Sequence, residues 1–182
     1  MRFNIAQLLK EGIGASRRFE FDGEIFGIDE ENPGPTPVQG DVRILRTVSG
    51  VLVVGTAQLK LIQPCRRCLQ PTETVVRFEL EEEFVPSVDI ETGASLPLAE
   101  DQEPELVIDE HHILDLSEVL RQYALLETSN MGLCRPDCKG LCPRCGQDLN
   151  SGPCDCDTTE IDPRFAVLAQ LLETPDGIQP TG

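Results

Sequence analysis

Eight cysteines carry the chemistry of this 182-residue chain, and their spacing sorts them into pairs. Cys65 and Cys68 stand in "CRRCL", Cys134 and Cys138 in "CRPDC", Cys142 and Cys145 in "CPRCG", and Cys154 and Cys156 in "CDC". A C-x-x-C turn lets two thiolates converge on one metal ion at about 2.3 Å, with N–H groups of the turn pointing at the sulfurs. In "CPRCG", Pro143 stiffens the turn and Gly146 permits a positive φ just after the second ligand.

Cys142, Cys145, Cys154 and Cys156 lie close enough in sequence to close on one ion, with the turn-forming "DLNSGP" between the halves. Cys134 and Cys138 are then two ligands short, and so are Cys65 and Cys68. Pairing these remainders gives a second four-thiolate site, so the spacing predicts two Zn2+ per chain. A single site drawing four of the six C-terminal cysteines is the rival division, and an iron–sulfur cluster would use the same ligands. Disulfides suit secreted chains, and eight cysteines flanked by Pro, Gly and charge do not read as core.

Four thiolates fill a tetrahedral shell and leave no open position for a substrate, so an enzyme is not expected. "EHH" at Glu110–His112 lacks the helical i, i+4 spacing of a metalloprotease pair. There is no phosphate-binding glycine loop and no Ser or Cys beside an identifiable base, and no small-molecule substrate is expected. Arg66, Arg67, Arg135, Lys139 and Arg144 lie in or beside the cysteine motifs. Compensation of thiolate charge explains them plainly, and a small basic spot touching RNA phosphate is the functional alternative.

The whole chain is acidic: 32 Asp and Glu against 15 Lys and Arg give a formal net charge of −17. A direct nucleic-acid binder needs a basic footprint, because neutralising phosphates supplies most of its affinity. Any RNA contact is therefore local, or is mediated by a basic protein. No apolar run reaches the ~20 residues that span a bilayer, and the start "MRFNIAQLLKEGIG" does not read as a signal. The expectation is a soluble, cytoplasmic protein with no membrane partner, whose thiols stay reduced and free for metal.

The elements that must position these cysteines are strand-rich. "RRFEFDGEI" alternates, "ENPGPTP" is a loop, and "DVRILRTV" places Val42, Ile44 and Val48 on one parity. After a turn at Ser49–Gly50, Ala57, Leu59 and Leu61 share a face; further on, Val76, Phe78, Leu80 and Phe84 do the same. Cys65 and Cys68 sit between these last two strands. "FNIAQLL" fits a short strand or a helical turn equally. From Phe78 to Leu120 there are fourteen acidic residues and no Lys or Arg, and 88–105 reads as a flexible acidic loop that solubilises the chain or docks a basic partner.

"LDLSEVLRQYALLE" predicts a helix capped by Asp115 with Glu118, its apolar face Leu116, Val119, Leu120 and Tyr123. "DPRFAVLAQLLE" predicts a second, with Asp162 as cap and Pro163 in its first turn. The expected fold is α+β: an antiparallel β-sheet core with two helices and a C-terminal Cys-rich zinc module. The expected divisions are a core with acidic loop and helix at 1–130, the zinc module at 131–160, a closing helix packed on the core at 161–174, and a flexible tail at 175–182.

"CRRCLQPTETVVRFELEEEFVP" resembles the central signature of the YceD family, "DCKGLCPRCGQDLNSGPCDC" the C-terminal extension of its zinc-type bacterial members, and "DPRFAVLAQLLE" its closing helix. The resemblance implies a non-enzymatic factor in accumulation and processing of large-subunit ribosomal RNA, that is, in ribosome biogenesis. Its implied partner is a basic ribosomal protein, rRNA or both. Members lacking the extension keep the central C-x-x-C and a later ligand-bearing stretch. The resemblance therefore favours Cys65, Cys68, Cys134 and Cys138 as the ancestral site and Cys142, Cys145, Cys154 and Cys156 as an added zinc-ribbon-like knuckle. A zinc-thiolate redox sensor or chaperone-like holdase is the alternative from another functional class.

Overall fold

Alternating apolar and charged residues become a long antiparallel meander in the computed structural model of this protein, which describes residues 1–128 and 132–156. In chain order its strands are β1 (Arg2–Asn4), β2 (Ser16–Ile25), β3 (Thr36–Arg46), β4 (Val51–Pro64), β5 (Pro71–Pro86), β6 (Val107–Ile108) and β7 (Ile113–Asp115). Two helices are described, α1 (Ala6–Leu9) and α2 (Ser117–Thr128). Strands β2 to β6 form one sheet in sequential order, and β1 pairs with β7 in a second. Pairing is antiparallel except between β5 and β6, where the intervening acidic segment provides the long connection a parallel pair requires. The fold is the expected α+β arrangement, mostly antiparallel.

The inner face of the large sheet is the core. Val51 opposes Phe84, Ala57 opposes Phe78 and Leu59 opposes Val76, and all six are buried. Cross-strand pairs of this kind fix the register, because a one-residue slip would turn every one of them to solvent. On β3, Val42 and Ile44 are buried as their parity requires, but Val48 is 82% exposed. The strand ends at Arg46, whose guanidinium donates to the carbonyls of Thr47 and Gly50 and shapes the turn, so the alternation stops before Val48.

The N-terminal ambiguity resolves as both readings in succession: β1 first, then α1, whose Ala6 N–H is bonded by the Asn4 Oδ1. The proline-rich loop is anchored by Asn32. Its carboxamide donates to the Ile62 carbonyl at 3.0 Å and accepts from the Ile62 N–H at 2.8 Å, standing in for a neighbouring strand beyond the end of β3. The acidic segment 88–105 folds back on itself. Val88 bridges to Ser95, the Asp89 carboxylate accepts from the N–H groups of Glu91 and Thr92, and Ile90 packs on the core.

Helix α2 lies where predicted and buries Val119, Leu120 and Ala124, with Leu116 buried just before it. Tyr123 stacks on Phe78 of β5 with ring centroids 5.7 Å apart, and its hydroxyl donates to Glu82. Leu116 takes the N-cap position, its carbonyl accepting from the Leu120 N–H, and Asp115 one residue earlier accepts from the N–H and the hydroxyl of Ser117, the first helical residue. Glu118 does not complete a capping box; it pairs with Arg121 one turn on. The predicted helix at 161–174 and the tail at 175–182 lie outside the described residues.

Candidate metal centres

The β4–β5 hairpin carries the first knuckle at its tip. The Leu69 N–H donates to the Cys65 carbonyl at 2.8 Å and the Cys65 N–H to the Gln70 carbonyl at 2.9 Å. The second knuckle repeats this wiring. The Gly146 N–H donates to the Cys142 carbonyl at 2.9 Å and the Cys142 N–H to the Gln147 carbonyl at 2.8 Å. After the second cysteine the chain turns left-handed in both, with φ of 61° at Leu69 and 73° at Gly146. Glycine adopts that conformation without strain, whereas a leucine there costs about 1 kcal/mol. The first knuckle therefore holds a mildly strained residue.

The eight thiols gather in two groups of four: Cys65, Cys68, Cys134 and Cys138, and Cys142, Cys145, Cys154 and Cys156, with sulfurs in each group within 4.8 Å of one another. All eight are free. In the first group, Cys65 Sγ lies 3.9 Å from Cys138 Sγ, and Cys68 Sγ lies 3.6 Å from Cys134 Sγ. Four sulfurs at about 2.3 Å from a tetrahedral ion stand about 3.8 Å apart, so these separations suit a thiolate-bound metal. A disulfide needs about 2.05 Å. The donor set and the spacing fit the group the sequence implies.

Burial differs between the two groups. Cys65, Cys68 and Cys138 are buried with Leu133 and Leu141 packed around them, and only Cys134 is exposed. In the second group Cys142 alone is buried, and Cys145 is exposed. The first group is continuous with the fold, and the second sits at its edge.

Within each group the ionisation of one thiol depends on its neighbours. Backbone N–H groups of Cys134 and Cys68 hold the Cys65 thiol down at about 6, and those of Cys145 and Arg144 do the same for Cys142. Desolvation and the sulfurs of Cys138, Cys68 and Cys65 push Cys134 up to about 12, and the Cys145 sulfur with desolvation does so for Cys156. Thiolates formed at one position raise the cost of ionising the next. A divalent cation removes that conflict and lets all four ionise.

Of the basic residues near the motifs, Arg67 uses its guanidinium to donate to the Cys138 carbonyl at 2.7 Å, and Arg135 donates to the Asn150 side chain at 2.7 Å. Arg66 and Lys139 are exposed. Glu110, His111 and His112 form the turn before β7, held by Asp109, and neither histidine joins a thiol group. Asn150 was not singled out by spacing, being one residue of a turn-forming run. Its Nδ2 nevertheless lies 3.4 Å from the Cys138 sulfur.

Comparison with known proteins gives relatives in bacteria and plants. An uncharacterized protein of Mycobacterium tuberculosis is 36% identical over 132 residues, covering 72% of this chain and 60% of the relative. The chloroplastic large ribosomal RNA subunit accumulation protein YCED homolog 1 of Arabidopsis thaliana is 27% identical over 164 residues, covering 79% of this chain and 51% of the relative. The Zea mays protein of that name is 29% identical over 143 residues, covering 66% and 49%. The chain thus spans about half to three fifths of the length of these relatives. No solved structure gives a significant match. The profile of the family described as large ribosomal RNA subunit accumulation protein YceD matches residues 53–172, a stretch that holds all eight cysteines. With that match over well over half of its length, the chain belongs to the YceD family.

Proposed function

We propose that this protein is a non-enzymatic factor that binds two Zn2+ and supports accumulation of large-subunit ribosomal RNA. The observation that carries the reading is the pair of closed four-thiolate groups on a chain of this family. Zinc saturated by four thiolates has a structural role and presents no open coordination position. The partner is a basic ribosomal protein or the rRNA itself, reached in the cytoplasm. The net charge of −17 supports contact through a basic protein or through a small local surface.

The test is a deletion strain in which large-subunit rRNA is quantified against small-subunit rRNA. The ratio should fall and recover with the intact gene; an unchanged ratio overturns the reading. Capture of the tagged protein with and without ribonuclease then separates a protein partner from an RNA partner. Exposure of Cys134 and Cys145 favours one second reading, a thiolate redox sensor. Reversible zinc release by mild peroxide together with a change in rRNA accumulation would support it, and zinc that stays bound would exclude it.

A further inference from the structure

The two thiol groups are separated by three residues, Lys139, Gly140 and Leu141, and this short bridge is bonded on both sides. The Leu141 N–H donates to the Arg67 carbonyl at 3.1 Å, and the Leu149 N–H donates to the Gly140 carbonyl at 2.9 Å. Gly140 has a φ of 78°, and a Cβ there would lie 3.0 Å from the Arg67 carbonyl oxygen. The first knuckle and a second hairpin, closed by the antiparallel bridge between Leu141 and Asp148 around Cys142 and Cys145, are thus pressed against the same strip of backbone.

Asn150 belongs to the loop between the two halves of the second thiol group, yet its side chain reaches the first. Its Oδ1 accepts from the Lys139 N–H at 2.8 Å and from the Arg135 guanidinium at 2.7 Å. Both partners are donors, so this atom is the oxygen. The other end lies 2.7 Å from the Asp148 carboxylate, an acceptor, and 3.4 Å from Cys138 Sγ. The carboxamide can be placed only one way round, with an N–H aimed at a thiolate of the first group. Asp148 is itself fixed in the second hairpin, where it bridges to Leu141 and accepts from the Asn150 N–H at 2.9 Å.

We propose that the two sites are thermodynamically coupled, with Asn150 as the positioning residue that carries the coupling. This rests on the reading of both groups as metal sites. A metal in the Cys142, Cys145, Cys154 and Cys156 site closes the loop that presents Asn150, and the presented N–H stabilises the Cys138 thiolate in the buried site. Partners that orient and hydrogen-bond a ligand without touching the metal commonly set affinity by 10- to 100-fold, roughly. Coupling of this kind is reciprocal, so filling the buried site also favours filling the outer one. The outer site is the more exposed of the two, so its occupancy governs how firmly the hairpin tip is clamped to the C-terminal segment.

The experiment uses the full chain loaded with Zn2+ and follows release to a colorimetric chelator, phases being assigned with Cys65→Ser and Cys145→Ser. Cys145→Ser should release zinc from the buried site about tenfold faster than the parent, the low end of the range for groups that orient a ligand without touching the metal. Asn150→Ala should do nearly the same while still holding two ions at saturation. The double variant should be no faster than Cys145→Ser alone, because both changes remove one interaction. With Co2+ in the buried site, Asn150→Ala should shift the sulfur-to-metal charge-transfer band to longer wavelength, since the thiolate loses an N–H donor. Asn150→Ala with parental release and an unmoved band overturns the proposal, as do effects that add in the double variant. A parent chain holding fewer than two ions overturns the two-site reading itself.

Discussion

Cys65 Sγ and Cys138 Sγ lie 3.9 Å apart although 73 positions separate them in the chain. One cysteine stands at the tip of the β4–β5 hairpin and the other follows α2, so a metal between them closes a loop containing β5, the acidic segment and α2. Loop closure of that length removes much conformational freedom from the unfolded chain.

Metal content should therefore be two Zn2+ per chain by native mass spectrometry, falling to one in Cys65→Ser and to one in Cys145→Ser at saturating zinc. One ion in the parent, untouched by Cys65→Ser, would rule out the cross-chain site. Chelation should lower the melting temperature more in Cys145→Ser, which keeps the buried clamp, than in Cys65→Ser.

Gly146→Ala forces a side chain into a left-handed turn with φ of 73°. Open space surrounds the position, so the penalty is conformational, about 1 kcal/mol. It should appear as faster zinc release from the outer site at unchanged stoichiometry. Equal release rates would show that the turn relaxes freely.

Leu120 is fully buried between α2 and the sheet. Leu120→Ala should cost about 3 kcal/mol by transfer and cavity effects, read as a lower urea midpoint at unchanged slope. A change below ~1 kcal/mol would mean that the helix repacks over the gap.

Asn32→Ala strips both partners from the Ile62 peptide group. Unsatisfied backbone groups of this kind cost about 1–3 kcal/mol each when water cannot replace the lost bond. Hydrogen exchange at Ile62 should accelerate first, before the rest of β4.

Asp115 should contribute to the acid limb of stability. Burial works against its charge, but the Ser117 hydroxyl, the Arg2 guanidinium and the Ser117 N–H hold its carboxyl well below the usual carboxylate range. A folded-state value below the unfolded one means that this stability is complete above about pH 4 and is lost as the pH falls toward the folded value. Asp115→Asn should flatten the loss of stability below that pH, seen in urea midpoints taken across the acid range. A parental slope in the variant would assign the acid limb to other carboxylates.

Much of the sheet was legible because a half-buried strand writes its burial in period two. Val76, Phe78, Leu80 and Phe84 share one parity of that period, and all four are buried. Val48 broke the pattern because Arg46 spends its side chain on the turn carbonyls, an event with no periodic signature. That Asp115 would stand at the start of the helix was legible, whereas the one-residue shift of the cap to Leu116 and the pairing of Glu118 with Arg121 were settled by the helix itself.

By itself the sequence determined that eight cysteines come as four close pairs, because a tight turn is a local matter of two to five residues. It also pointed to the knuckle at Cys142 and Cys145, since Pro143 stiffens such a turn and Gly146 permits its positive φ. Only the tertiary structure decided which pairs share a site, because Cys65 and Cys138 meet through the register of β4 with β5 and the path of α2. It alone decided that Asn150 reaches across from one group to the other, since the strip Lys139–Leu141 holds the two hairpins back to back. Spacing along a chain fixes which ligands can turn together; the packing of distant segments fixes which of them meet.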